Sequence, residues 1–375
     1  VTAIDSMKTS VDAGYAKFLP ADTPVQYLDP AGRLTGRTAR YPRPAPPRLV
    51  QMYRNMVLGR RFDEQATALT KQGRLAVYPS SRGQEACQIA AAMSLHANDW
   101  LFPTYRDSMA LTTRGIDPVE ILGMLAGDWH CCYDPVRHRT APQCTPLATQ
   151  LLHAAGLAHA QTRRDTGAVV LALCGDGATS EGDFHEALNF AAVFHAPVIF
   201  LVQNNGFAIS VPLARQTIAP SLAHKGVGYG IGSEQVDGND PMAMLAVLDE
   251  ARKFVLDGNG PVIVEAHTYR VEGHTNADDP TRYRTNDEVA HWIQRDPIAR
   301  LERYLLLEGL IDDGHIAAVA AEAEDRATTL RAGMNADRPT DAGDLFRYVF
   351  AEPTTQLREQ HAQAHADIAA DYDED

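Results

Sequence analysis

Two short motifs hold the densest chemistry in this chain. Gly175-Asp176-Gly177 ends one apolar run, and Asn204-Asn205 ends the next. Asp176 offers a carboxylate and Asn205 an amide oxygen. Both are hard oxygen ligands suited to Mg²⁺, which takes few protein ligands and completes its octahedron with water and phosphate oxygens. Gly175, Gly177 and Gly206 let backbone approach a phosphate closely. Either motif alone reads as an ordinary turn. Together, each ending a strand and with a helix between them, they are far more specific.

Other constellations carry less. His130, Cys131, Cys132, His138 and Cys144 are ligand types for zinc. Their spacing fits no finger or ribbon, and adjacent cysteines rarely share one tetrahedral metal. No Ser-His-Asp arrangement, GxSxG elbow or GxGxxG after a strand is present, which disfavours hydrolase and dinucleotide-dehydrogenase chemistry.

The elements that must position these groups follow from the hydrophobic pattern. Ala168 to Cys174 and Val198 to Val202 are continuous apolar runs, as expected of strands buried on both faces. Between them Phe184, Ala187, Leu188, Ala191 and Ala192 share one helical face. A helix over Pro241–Leu256 precedes a third strand, Pro261 to Ala266. This alternation predicts a parallel sheet covered by helices, with functional groups at the carboxyl ends of its strands. Earlier helices are expected over 48–72, 84–96 and 149–164, with a long loop over 127–146. Residues 1–47 read as an N-terminal arm, polar and ending in a proline-rich lead-in. Residues 48–375 read as one α/β domain whose part from about 287 is mainly helical and ends in an acidic tail.

Composition sets the outer limits. The chain has 375 residues, 45% apolar and 22% charged, which is ordinary for a globular protein. A net charge of −14 argues against a nucleic-acid or anionic-membrane binder. No apolar run approaches the ~20 residues of a membrane helix. Val1 to Ser10 lacks the pattern of a secretory signal, and five cysteines without CxxC spacing suit a reducing compartment. A cytoplasmic location is expected.

Gly175 to Ser210 resembles the thiamine diphosphate-binding motif. More narrowly, it resembles the alpha subunit of the decarboxylating component of 2-oxo acid dehydrogenase complexes. Gly83 to Ala86, Phe102 to Arg106, Thr145 to Gln150, Asp237 to Asp240 and Tyr269 to Arg284 resemble that family too, in the family's order. The resemblance covers roughly residues 45–360. It implies a thiamine diphosphate-binding α/β fold, with helices on both faces of a central parallel sheet. It also implies that Asp176 and Asn205 bind Mg²⁺ by side chain, with the Phe207 carbonyl as a third ligand. Tyr105, Arg106 and His274 would hold the diphosphate, and Leu147 would support the aminopyrimidine side. Thr145, Gly177 and Ala178 complete the implied cofactor contacts. His274 would also stand near the reaction centre, and Thr275 follows it where some relatives carry a kinase target. Cys144 and Pro146 carbonyls, with Thr149 and Gln150 side-chain oxygens, would hold a monovalent cation such as K⁺.

Two departures stand out. Gln203 replaces a residue that is often charged in relatives, and Tyr78 to Gly83 lacks a histidine found in some pyruvate-specific members. The implied activity is oxidative decarboxylation of a 2-oxo acid with reductive acylation of a lipoyl group on an acyltransferase component. The branched-chain type is favoured and the pyruvate type comes next. An acetoin-cleaving enzyme or a non-catalytic relative are the further alternatives. The family arrangement implies two alpha and two beta chains, with the beta chain supplying the activating glutamate. The helices at 48–72 and 287–335 are candidates for that interface.

Overall fold

The computed structural model describes residues 18–36, 39–127, 133–336 and 341–373. His130, Cys131 and Cys132 of the zinc-type cluster lie outside the described residues, as do Glu374 and Asp375 of the acidic tail. Residues up to Arg331 form one compact unit and those from Ala332 a second.

The first unit opens with helix α1, Pro46–Lys71, started by a proline at its first turn. Gly73, at φ 74°, takes the left-handed conformation just past its end. Helix α2 spans Glu85–Ser94, strand β1 Trp100–Phe102, helix α3 Ser108–Thr113 and helix α4 Pro118–Ala126. The stretch read as a long loop contains one helical turn, Pro135–His138, capped by Asp134. Helix α5 is Thr149–Arg163, strand β2 Val170–Gly175, helix α6 Gly182–Val193 and strand β3 Val198–Asn204. Strand β4, Gly232–Asp237, precedes helix α7, Pro241–Leu256, and strand β5, Val262–His267. Helices α8 (Asn286–Ile293), α9 (Pro297–Leu307) and α10 (Asp313–Asn335) follow. From Ala332 the second unit contains a short turn at Asp344–Arg347 and helix α11, Thr355–Asp373. Among the described residues, no helix is long and apolar enough to cross a membrane.

The five strands pair in the order β1-β2-β3-β5-β4, all parallel. Side chains alternate across such a sheet. Val170, Ala172, Cys174, Val198, Phe200 and Val202 pack with α5 and α6 on one face. Leu171, Leu173, Ile199 and Leu201 have the opposite parity and are equally buried, on the side where α7 contacts the sheet. The expected parallel sheet covered on both faces is therefore present.

Two strands escaped the sequence pattern for physical reasons. β1 has three residues, too few for a period. β4 reads GSEQVD, polar for most of its length yet buried. Its edge is covered by the N-terminal arm. Ser233 N–H donates to the Phe18 carbonyl, and Val25 exchanges backbone bonds with Gln235 and Asp237. Gln235 donates to the Ala21 carbonyl, and Tyr41 donates to Glu234. Asp240 joins arm and core: one carboxylate oxygen caps α7 at Met242 and Ala243, and the other accepts from the N–H groups of Tyr27 and Leu28.

Candidate active site

A cleft of about 220 Å³ opens at the carboxyl ends of β2 and β3, as expected for this topology. Gly175 stands opposite Gln203 across the two strands. Asp176 and Asn205 therefore leave neighbouring strand ends, and the Asn205 backbone N–H stabilises the Asp176 carboxylate. Burial pushes the Asp176 carboxyl up, opposed by the bond from Gln216 Nε2 at 2.7 Å and by the Asn205 backbone. Beyond β3, Phe207–Ala208 and Val211–Pro212 form a short antiparallel ribbon. Leu213 N–H bonds the Gly206 carbonyl, which makes Phe207 and Pro212 a non-hydrogen-bonded pair and leaves the Phe207 carbonyl outside the ribbon's bonding.

On the facing wall stand Tyr105, Arg106, Arg270 and His274. Arg106 is 5% exposed, so its charge is held by built partners rather than by solvent. It donates to the Ser80 carbonyl at 2.7 Å and to the His274 carbonyl at 2.9 Å, with its guanidinium over the Tyr105 ring. His274 Nδ1 lies 3.2 Å from Arg106 Nη2 and 3.0 Å from Arg270 Nη1. Guanidinium groups only donate, so Nδ1 is the acceptor and the ring proton sits on Nε2. Burial, then Arg106 and Arg270, push the His274 pKa down to about 4. The ring is thus neutral near pH 7, with one N–H to offer. Asp278 fixes its backbone, accepting from His274 N at 2.6 Å.

Arg270 lines the same cleft, and the sequence did not single it out. It is fully buried, and its Nε has no partner. Its Nη2 donates to both Tyr283 Oη and the Ile209 carbonyl. Ile209 holds φ 56°, a conformation costing a β-branched residue ~1–3 kcal/mol and found mostly where function requires it. The available signal was position alone: Arg270 lies between a strand end and His274.

The cleft brings together Tyr105, Arg106, Leu147, Asp176, Gly177, Ala178, Asn205, Phe207 and His274, with Cys144, Pro146 and Gln150 on its border. Thr145 lines an adjoining hollow with Cys144, Pro146 and Gln150. Thr149 lines neither; its hydroxyl bonds Asp183 at 3.4 Å. Gln150 donates to the Leu173 carbonyl at 2.7 Å, while its buried Oε1 has no partner. Gln203 is buried and bonded to Gln84 and Asp107. Among the described residues, no three His, Cys, Asp or Glu side chains gather as a metal site.

Asp63, on α1, anchors the loop that clamps Arg106. It accepts from Tyr78 Oη at 2.8 Å, Ser80 Oγ at 2.6 Å and Ser81 N at 2.7 Å. Complete burial raises its pKa to about 6, against the pull of these donors. For a carboxyl raised in the fold, the protonated form is favoured. Its contribution is full below the unfolded pKa and lost as pH rises through about 6. The stability of the wild type relative to Asp63→Asn should therefore fall by about 3 kcal/mol between about pH 3.5 and about pH 7. Denaturant melts of both proteins across that range check this, and a constant difference would contradict it.

Residues 53–330 match the family model described as "Dehydrogenase E1 component". The chain is 45% identical over 347 residues to the 3-methyl-2-oxobutanoate dehydrogenase subunit alpha of Mycobacterium tuberculosis, covering 92% of this chain and 94% of that one. It is 35% identical over 339 residues to the pyruvate dehydrogenase E1 component subunit alpha of Staphylococcus aureus, covering 90% and 91%. With its parallel sheet, its strand-end acid and amide, and these matches along nearly the whole sequence, the chain belongs to the thiamine diphosphate-dependent dehydrogenase E1 component family.

Proposed function

We propose that this chain is the alpha subunit of a branched-chain 2-oxo acid dehydrogenase. It would act in the oxidative decarboxylation of 3-methyl-2-oxobutanoate, with reductive acylation of a lipoyl group on an acyltransferase component. The observation that carries this reading is the 45% identity over 92% of the chain to a 3-methyl-2-oxobutanoate enzyme, against 35% to a pyruvate enzyme.

The residues of the cleft fit thiamine diphosphate with a hard cation. Two guanidinium groups, one with a buried and unpartnered Nε, suit a diphosphate. Asp176, Asn205 Oδ1 and the Phe207 carbonyl are an all-oxygen donor set suited to Mg²⁺. Bound thiamine diphosphate supplies an electron sink for the pair left when a 2-oxo acid loses carbon dioxide. The chain's own residues do the rest. Arg106, fixed by Ser80, and Arg270 neutralise and orient the diphosphate. His274 presents Nε2–H to the cleft as a neutral donor, able to stabilise negative charge that develops on a substrate oxygen. Gln150 Oε1 is an available ligand for a monovalent cation beside Cys144 and Pro146.

The site is incomplete in one chain. The cleft is smaller than the roughly 300–1,000 Å³ of a typical small-molecule pocket. Leu147, Ile209 and Val211 stand exposed on its border and on the adjacent ribbon. A beta subunit closing over the cleft would cover these side chains. We assign the assembly as two alpha and two beta chains.

Substrate preference tests the reading. With the co-expressed beta subunit, thiamine diphosphate and Mg²⁺, kcat/KM for 3-methyl-2-oxobutanoate should exceed that for pyruvate by roughly 10–200-fold, the range that one or two methylene groups allow. A preference for pyruvate would assign the chain to the pyruvate type.

A further inference from the structure

A buried chain of hydrogen bonds runs from Asp107 to Asn205. Gln203 Nε2 donates to Asp107 Oδ1 at 2.6 Å. Gln84 Nε2 donates to Gln203 Oε1 at 3.0 Å. Asn205 Nδ2 donates to Gln84 Oε1 at 3.0 Å. Asp107, Gln203, Gln84 and Asn205 are 0%, 2%, 1% and 6% exposed, so solvent competes little with these bonds.

The direction of this chain is not arbitrary. An amide has a donor end and an acceptor end, whereas a carboxylate only accepts. Asp107 therefore demands the NH₂ of Gln203. That turns the Gln203 oxygen to Gln84, which turns the Gln84 oxygen to Asn205. Asn205 must then spend its NH₂ on Gln84 and keep its oxygen for the cleft. The same orientation lets Oδ1 accept from Phe207 N–H, a long bond at 3.3 Å. Asp107 is itself held by Thr104, whose N–H and hydroxyl both donate to Oδ2 at 2.7 and 2.6 Å.

We propose that Asp107 is a positioning residue that sets, through Gln203 and Gln84, which end of the Asn205 amide faces the cofactor cleft. It does so without touching metal or cofactor. The proposal rests on the reading that Asn205 is a metal ligand. An amide that donates to one neighbour and accepts from the next transmits the polarity.

The near-isosteric change Asp107→Asn should reverse the chain. The two Thr104 donors claim the new amide's oxygen, so its NH₂ faces Gln203. Gln203 and Gln84 then turn over, and Asn205 presents NH₂ to the metal. A second change, Gln203→Glu, restores the sense. The carboxylate at position 203 accepts both from the amide introduced at position 107 and from Gln84, and the Asn205 oxygen returns to the cleft.

The test uses the full chain in complex with its beta subunit. Mn²⁺ is titrated in the presence of thiamine diphosphate, with free Mn²⁺ read by electron paramagnetic resonance. D107N should bind Mn²⁺ roughly 10–100-fold more weakly, the usual cost of disturbing an outer partner of a metal ligand. D107N/Q203E should regain affinity to within about threefold of wild type, a small part of that range. Asn205→Ala sets the reference for a lost ligand. Undiminished affinity in D107N, or a double variant no better than D107N, overturns the relay. In either case a loss in Asn205→Ala leaves the metal reading intact. Undiminished affinity in Asn205→Ala overturns the metal reading, and the relay with it.

Discussion

Asp176→Ala is expected to abolish binding of thiamine diphosphate with Mg²⁺ while leaving the fold intact. Disturbing a partner one shell out from a metal typically costs roughly 10–100-fold in affinity, so removing the carboxylate proposed to ligate Mg²⁺ directly should cost more than that. The fold should survive because Asp176 gives it little. Burial pushes the carboxyl up, which means that the folded protein accommodates its charge at a cost. Its main bond partner, Gln216 Nε2, also bonds the Val211 carbonyl and is not stranded by the change. Calorimetric titration of the cofactor, with circular dichroism as the control on folding, checks the expectation. Binding at wild-type affinity would remove Asp176 from the metal site.

His274→Ala should reduce lipoyl acylation by about 10²–10³-fold in kcat, the scale seen when a preorganised hydrogen-bond donor is removed from a reacting oxygen. Stability should change little, because the ring's polar contacts are with two arginines that keep other partners. Arg106 retains the Ser80 carbonyl and Arg270 the Ile209 carbonyl. Burial, and then the two arginines, hold the ring neutral, with its pKa at about 4. Protonation of His274 should therefore leave no inflection in the rate between about pH 5 and about pH 8, where an unperturbed histidine titrates. Acylation kinetics of the variant, alongside its melting temperature, separate the two effects. A wild-type acylation rate would end the role given to His274.

The parts of this molecule that the sequence made legible share a physical cause. β2, β3 and β5 are buried on both faces, so they read as unbroken apolar runs, and a parallel sheet followed from their alternation with helices. Asp176 and Asn205 stood out because they end two such runs. Arg106 and His274 stood out through the motifs around them. β4 was not legible because its burial is largely polar. Ser233, Glu234 and Gln235 are satisfied by arm residues some two hundred positions away. The same holds in the site. Arg270 is held by contacts from separate segments, and no local pattern announces a buried arginine. The amide chain joins positions 84, 107, 203 and 205, and its meaning lies in which atom faces which. A one-dimensional reading has no access to that orientation.

The proposed sharing of a 2-oxo acid dehydrogenase site between this chain and a beta subunit is tested most directly by the reduction of an artificial acceptor driven by 3-methyl-2-oxobutanoate. The chain would be assayed alone and as the complex with its beta subunit, with thiamine diphosphate and Mg²⁺ present throughout. No turnover is expected from the chain alone, and cofactor-dependent turnover from the complex. A well-formed complex that binds the cofactor and turns over neither 3-methyl-2-oxobutanoate nor pyruvate would contradict that sharing.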